Sequence, residues 1–356
     1  MRYASRESSN STDDYMRTYN VMRVGDIAFE GNRSGNFSHG RFVENDLGDG
    51  IVSHVFVVLR PLPGRRYDLA FWKEAIHDEF LMKRILARST KRSTMMHEIV
   101  VPDFLKEVVA VPSLSEQQKI GQFFSTLDSL IAAAERQEAL LRQKKQAYLQ
   151  LMFPREGETE PRLRFAGFSG EWETRQFGEL YAPSREKNDG SFSAKDIISV
   201  AGMRYTSREP ADSSDDYMRT YNVMRVGDIA FEGNRSGNFS HGRFVENDLG
   251  DGIVSHVFVV LRPLPGRRYD LAFWKEAIHD ELLMRRILAR STKRSTMMHE
   301  IVVPDFLKET VRVPSLPEQQ EIGKFFTTLD STIDIFRKRV ELLKKQKSAY
   351  LQSMFI

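Results

Sequence analysis

Two stretches of the chain carry apolar residues in alternating steps of four and three. In the first they are Ile120, Phe124, Leu127, Ile131, Ala134, Leu141, Tyr148 and Met152. In the second they are Ile322, Phe326, Leu329, Ile333, Phe336, Val340, Leu343, Tyr350 and Met354. This is a heptad period, and Arg, Lys, Gln and Glu fill the positions between. It predicts two long helices packed along an apolar seam, antiparallel to one another. Ser113-x-x-Glu116 and Ser315-x-x-Glu318 are capping-box patterns that open them. A helix of about 38 residues at ~1.5 Å per residue is roughly 57 Å long. Polar residues enter the seam at Glu138 and at the equivalent lysines Lys145 and Lys347.

Elsewhere the period changes. Asp26–Phe29 reads as a short strand, and Gly31–Gly40 as a polar, turn-rich loop. Ile51–Leu59, β-branched and aromatic, predicts one continuous strand. Apolar residues near helical spacing predict one helix over Asp68–Arg88, followed by a polar break at Ser89–Thr94. Glu98–Val101 and Glu107–Val111 read as short strands on either side of Pro102.

The chain also contains itself twice: Met1–Phe153 recurs as Met203–Phe355, offset by 202 residues. From Asp13 to Glu107 the copies differ at two of 95 positions, Phe80 against Leu282 and Lys83 against Arg285; from Val108 to Phe153 they differ at 20 of 46. A repeat this long is a domain repeat, not a solenoid. Two nearly identical globular units should bind two copies of one thing, while the divergent helices keep only the pattern a scaffold needs. Pro154–Gly170 is a polar linker. Glu171–Gly202 then opens the second unit and has no counterpart before Met1, so the first unit is expected to lack edge strands.

Composition narrows the chemistry. The 356 residues are 41% hydrophobic, enough for real cores, and contain no cysteine, which excludes disulfides, thiolate catalysis and Cys-based zinc sites. No apolar run reaches the roughly 18–20 residues of a membrane span, and the N-terminus lacks the apolar stretch of a signal peptide. The expectation is a cytoplasmic protein with no membrane partner. The net charge is only +3, so basic character must be local if nucleic acid is bound. Neither a phosphate-binding loop nor a dinucleotide-binding glycine motif is present. No amino-methyltransferase or nuclease motif is found, and the histidines show no metal-ligand spacing. No catalytic or metal-binding residues are assigned.

Two polar clusters are better candidates. Asn32, Arg33, Ser34, Asn36, Ser38, His39 and Arg41 share one glycine-rich loop, repeated as Asn234, Arg235, Ser236, Asn238, Ser240, His241 and Arg243. Glycine lets backbone approach a ligand closely, and Arg and Asn side chains can read guanine and adenine edges. Thr90, Lys91, Arg92 and Ser93, repeated as Thr292, Lys293, Arg294 and Ser295 and preceded by Arg88 and Arg290, suit phosphates. Each cluster is also what a solvated surface turn looks like.

Val109–Asp128 contains Pro112, Glu116, Gln117, Ile120, Phe123, Phe124, Leu127 and Asp128, and the pattern returns over Val311–Asp330. It resembles the conserved region of the specificity (S) subunits of type I restriction–modification systems. Arg162–Trp172 is similar to that family's opening of the second half, and Tyr148–Phe153 and Tyr350–Phe355 match its helix ends. The resemblance implies an α+β protein with a pseudo-two-fold internal repeat: two mixed α/β target-recognition domains separated by two long antiparallel, coiled-coil-like helices that fix a spacing. The expected divisions are 1–112, an incomplete first recognition domain; 113–153, the first helix; 154–170, the linker; 171–314, the second recognition domain; and 315–356, the second helix. The family's S subunits are non-catalytic. They direct two methyltransferase (M) subunits and restriction (R) subunits to a bipartite site on double-stranded DNA. S-adenosylmethionine, Mg and ATP are implied to bind those partners, and no cofactor is implied for this chain. Near-identical recognition domains imply an inverted-repeat site, since protein symmetry is mirrored in the DNA. The competing reading is a truncated, S-like scaffold that binds M subunits without productive DNA reading.

Overall fold

Short β-branched runs bounded by turns, and amphipathic segments capped by aspartate, account for most of each repeat. A computed structural model of the chain describes residues 16–32, 37–64, 66–92, 96–206, 214–234, 239–265, 269–294 and 298–355. These fall into two units, 1–138 with 336–356, and 139–335.

In the first unit, β1 (Asn20–Met22) pairs antiparallel with β4 (Gly50–Val52). A three-stranded antiparallel sheet has the order β3 (Arg41–Glu44), β2 (Ile27–Glu30), β5 (Val57–Leu59). Helices α1 (Leu69–His77) and α2 (Glu79–Ser89) follow, then the hairpin of β6 (Thr90–Arg92) and β7 (His97–Ile99), and the short α3 (Val101–Phe104). Phe29, Phe42, Ile76, Met82, Ile85 and Leu86 form the core. Helix α4 (Leu114–Met152) begins in this unit.

The second unit opens with β8 (Glu173–Gln176), β9 (Tyr181–Pro183), β10 (Ile198–Ser199) and β11 (Arg204–Tyr205). It then repeats the plan as β12 (Asn222–Met224), β13 (Ile229–Glu232), β14 (Arg243–Glu246), β15 (Gly252–Val254) and β16 (Val259–Pro263). Helices α5 (Leu271–His279) and α6 (Glu281–Ser291), the hairpin of β17 (Thr292–Arg294) and β18 (His299–Ile301), α7 (Val303–Lys308) and β19 (Thr310–Val313) complete it. Helix α8 (Leu316–Met354) starts here. The sheet has four strands, in the order β14-β13-β16-β9, and β19 pairs with β8.

Several elements depart from the sequence-based expectation. Ile51–Leu59 is two strands, because Phe56 N–H donates to Ser53 O in a turn. Asp68–Arg88 is two helices: the Asp78 carboxylate accepts from Leu81 N–H at 2.7 Å and starts a second helix where the first ends. The polar stretch after it is β6, satisfied by pairing with β7. Val101–Phe104 is helical, with Pro102 in its first turn, where a missing N–H costs nothing. Among the described residues Glu107–Val111 forms no strand, whereas its copy is β19. The difference is the partner: β19 bonds to β8, and among the described residues no strand pairs with Glu107–Val111. At the helix starts, Ser113 Oγ accepts from Glu116 N–H at 3.4 Å, which is one half of a capping box. Glu318 instead forms a bidentate pair with Arg164 of the linker at 2.7 and 2.8 Å.

The two 39-residue helices keep their heptad seam. Phe124, Leu127, Ile131, Ala134 and Met152 are buried, as are Ile322, Phe326, Ile333 and Val340. In the first unit Phe123 meets Tyr350, and the Asp128–Lys347 and Glu135–Lys344 pairs follow at 2.7 and 2.8 Å. Partner numbers fall along α8 as they rise along α4, which is antiparallel packing. In the second unit Tyr148 meets Phe325 and Lys145 meets Asp330 in the same sense.

The lysines that break the apolar pattern lock these contacts. Lys347 Nζ lies 2.7 Å from Asp128 of α4 and 3.0 Å from Glu74 of α1. Lys145 Nζ lies 2.7 Å from Asp330 and 2.9 Å from Glu276. Each lysine ties both long helices to the recognition domain of one unit. Burial pushes the Glu74 and Glu276 carboxyls above the ordinary range, opposed by the lysine beside each. Gly121 and Gly323 complete the docking: a Cβ at either would lie 2.3 or 2.2 Å from the capping carboxylate of Asp68 or Asp270.

Lys347→Met strands a buried carboxylate and should destabilise the first unit by about 3 kcal/mol, read by urea unfolding with hydrogen exchange over residues 69–89. Lys347→Met with Glu74→Leu should recover most of that loss, because it removes both buried charges and leaves only the partly exposed Asp128.

Candidate nucleic-acid interface

The loop after β13 and the β17–β18 hairpin are far apart in sequence but adjacent in the second unit. His299 N–H donates to Gly233 O at 2.8 Å. A Cβ at position 233 would lie 1.9 Å from His299 O, so only glycine permits the approach. The His299 ring meets His241 edge-on at 5.3 Å, and its Nδ1 lies 3.5 Å from Thr292 Oγ1. The first unit repeats this: His97 N–H donates to Gly31 O at 2.8 Å, the His39 and His97 rings are 5.3 Å apart, and Thr90 Oγ1 lies 3.4 Å from His97 Nδ1.

The two candidate clusters therefore form one edge in each unit, and His97 and His299 join them. Sequence reading gave these histidines no part in the site. No pattern marks them, because their role is a backbone contact made across more than 60 residues.

Within this edge the candidates differ. Lys91, Arg92, Lys293 and Arg294 are exposed on their hairpins, with no ion-pair partner among the described residues. Asn32, Asn234, Ser38 and Ser240 are exposed, and Ser38 Oγ lies 2.9 Å from His39 Nδ1. Arg41 and Arg243 are partly committed: they pair with Glu30 at 2.7 Å and Glu232 at 2.8 Å, and stack over Phe37 and Phe239. Thr90 and Thr292 donate their hydroxyls to Leu86 O and Leu288 O, within the fold. Arg88 and Arg290 are held by Glu107 and Glu309. Arg33, Ser34, Asn36, Ser93, Arg235, Ser236, Asn238 and Ser295 lie outside the described residues.

A buried carboxyl and a buried imidazole near this edge are the groups most reminiscent of acid–base chemistry. Burial pushes Glu246 up to about 9 and Glu44 to about 7, and lowers His77 and His279 to about 4. One oxygen of each glutamate and Nε2 of His279 have no hydrogen-bond partner. With Glu246 2% exposed, substrate has no access, and its role is structural. Among the described residues no cluster could hold a metal ion, and no helix is long and apolar enough to cross a membrane.

Residues 170–345 match the family model described as the type I restriction modification DNA specificity domain. This stretch carries the type I restriction modification DNA specificity domain. The specificity subunit of the type I restriction enzyme MjaVIII from Methanocaldococcus jannaschii is 22% identical over 84% of this chain and 72% of its own length. The type I restriction–modification S subunit from M. genitalium aligns over 95% of this chain and 84% of its own, at 16% identity and TM-score 0.54. A structure from work on assembly and conformational transition of the type I system aligns over 94% and 82%, at 17% identity and TM-score 0.53. These last two show likeness of fold.

Two outcomes follow. Lys293→Ala with Arg294→Ala should lower the slope of log affinity against log salt by about 1–2 in a DNA-binding titration, with little change in sequence preference. Glu246 keeps its proton in the folded state to about pH 9, against an ordinary carboxyl value of 4.5, so folding is favoured below 4.5 and loses stability as pH rises to 9. Between pH 7 and 9, Glu246→Gln should abolish a loss of at most ~1.4 kcal/mol per pH unit, seen in urea melts across that range.

Proposed function

We propose that the chain is the DNA-recognition subunit of a type I restriction–modification complex. In that role it is non-catalytic and brings methyltransferase and restriction subunits to their site. The observation that carries the reading is the pair of matching edges: Asn32, Lys91 and Arg92 in one unit, and Asn234, Lys293 and Arg294 in the other, each joined by a histidine to the same glycine. Free cations beside exposed amides suit phosphate anchoring next to base readout. Arg33 and Arg235, in the same stretches of sequence, are the proposed base readers. The expected stoichiometry is two M subunits, one for each recognition unit. S-adenosylmethionine, Mg and ATP belong to those partners.

Near-identical readers on antiparallel helices call for equal half-sites in opposite orientation, an inverted repeat with a gap of fixed length. A scaffold that engages M subunits without reading DNA is the second reading. It draws on the shorter sheet of the first unit, three strands against four.

Co-expression with an M subunit, followed by single-molecule mapping of N6-methyladenine, tests both. A methylated inverted repeat with a constant gap is expected. A half-site or asymmetric motif would show that only residues 171–314 read DNA. No methylation by a stable complex would leave the scaffold.

A further inference from the structure

Only two of the 95 positions from Asp13 to Glu107 differ between the repeats, and both lie on one helix. Phe80 and Lys83 stand on α2; their copies, Leu282 and Arg285, stand on α6. Positions three apart share a helix face, so each pair is a single surface patch. All four residues are exposed, Phe80 to 66% and Leu282 to 53%. The helices are anchored by their other face, through Met82, Ile85 and Leu86 in one and Met284, Ile287 and Leu288 in the other. Packing therefore demands neither a large apolar side chain nor a cation at these positions, yet each copy has both.

The patch adjoins the candidate edge. In the second unit Arg285 lines a small cleft with Ser240, His241 and Arg243. The His241 ring meets His299, which lies opposite Arg294 across the hairpin. Arg294, the two histidines, Arg243 and Arg285 thus follow one another along one surface. The first unit repeats the arrangement: Lys83 lines the same cleft with Ser38, His39 and Arg41, and His39 meets His97, opposite Arg92. The acids of the cleft leave these cations free. Asp78 and Asp280 spend their carboxylates on Leu81 and Leu283 N–H, capping α2 and α6. Among the described residues no ion pair joins Glu79 to Lys83 or Glu281 to Arg285. Arg286, by contrast, is tied to Glu156 of the linker.

We propose that this face is a further contact with double-stranded DNA, at the base pairs adjoining each half-site, and that Leu282 and Arg285 give the second unit a preference there that the first does not share. The inference rests on the DNA-recognition reading above. Cations continuous with those of the hairpin favour a polyanion as the occupant. An apolar side chain beside them is suited to a thymine methyl. Arg285 presents a planar fork that can hold two acceptors of one guanine, whereas Lys83 is a flexible point charge suited to a phosphate. Two half-sites of equal core sequence are then read in unequal surroundings, which gives an otherwise symmetric complex a defined orientation on its site.

The test is selection from duplex DNA of random sequence by the full chain in complex with an M subunit, followed by sequencing of the bound fraction. The unmodified complex should enrich two inverted core half-sites whose adjoining base preferences differ. Leu282→Ala with Arg285→Ala should erase the preference on one side, weaken binding at least about five-fold and lower the salt slope by about 1, with the cores unchanged. Leu282→Phe with Arg285→Lys, which installs the first repeat's own residues, should make the two sides alike. Both side chains are exposed, so these variants should melt like the unmodified chain. Adjoining preferences and salt slope unmoved in the double alanine variant, with the cores still enriched, overturn this inference and leave DNA recognition standing. No enrichment by the unmodified complex overturns both. Loss of the M subunit from the variant, with DNA affinity kept, would mark the face as a protein contact and overturn the inference equally.

Discussion

The structure turns on a lysine placed where a hydrophobic residue belongs. Lys145 and Lys347 occupy seam positions, and an apolar side chain there would give a smoother interface. Each is the meeting point of a carboxylate on the partner helix and a buried glutamate on the short helix of a recognition domain. A buried ion cluster adds little net stability, but it is intolerant of misplacement. Sliding one helix against the other by a turn would move the ammonium about 5 Å from its carboxylates and leave Glu74 or Glu276 charged and alone. The clamp thus sets register, while the leucines, isoleucines and phenylalanines around it supply adhesion. Gly121 and Gly323 act in the same place by letting the capped end of a short helix sit against a long one.

This division explains why the repeats diverge unevenly. Along α4 and α8 many positions face solvent, so Ala133 can stand opposite the exposed Ile335 in the alignment, and the seam itself holds Glu138 where its copy has the buried Val340. The clamp residues Glu74, Asp128 and Lys145 are the same in both copies, as Glu276, Asp330 and Lys347.

Much of the architecture was legible in the sequence. The heptads located both helices, and the domain repeat paired the units. The boundaries inside the recognition domains were less legible. Ile51–Leu59 reads as one strand because its β-branched residues carry no mark for the turn at Ser53–Phe56. Asp68–Arg88 reads as one helix because Asp78 looks like an ordinary surface acid until its carboxylate is seen capping Leu81. Val108–Val111 has the composition of a strand but, among the described residues, no strand to bond to, which composition cannot reveal. For the candidate edge, residue type identified the exposed cations Lys293 and Arg294. It could not foresee that Arg243 is bound to Glu232, or that Thr292 turns its hydroxyl inward. The lysines appeared as exceptions to a pattern, and their partners lie 131 to 273 residues away.

The first unit is assembled from two separated stretches of the chain, whereas the second is continuous. Residues 336–356 belong with residues 1–138, and Phe355 packs on Phe71 while Lys347 closes on Glu74. During synthesis, the first recognition domain must therefore wait for residues made after the whole of the second unit. A premature stop at the start of residues 336–356 would spare the recognition domain just before it and cripple the one encoded far upstream.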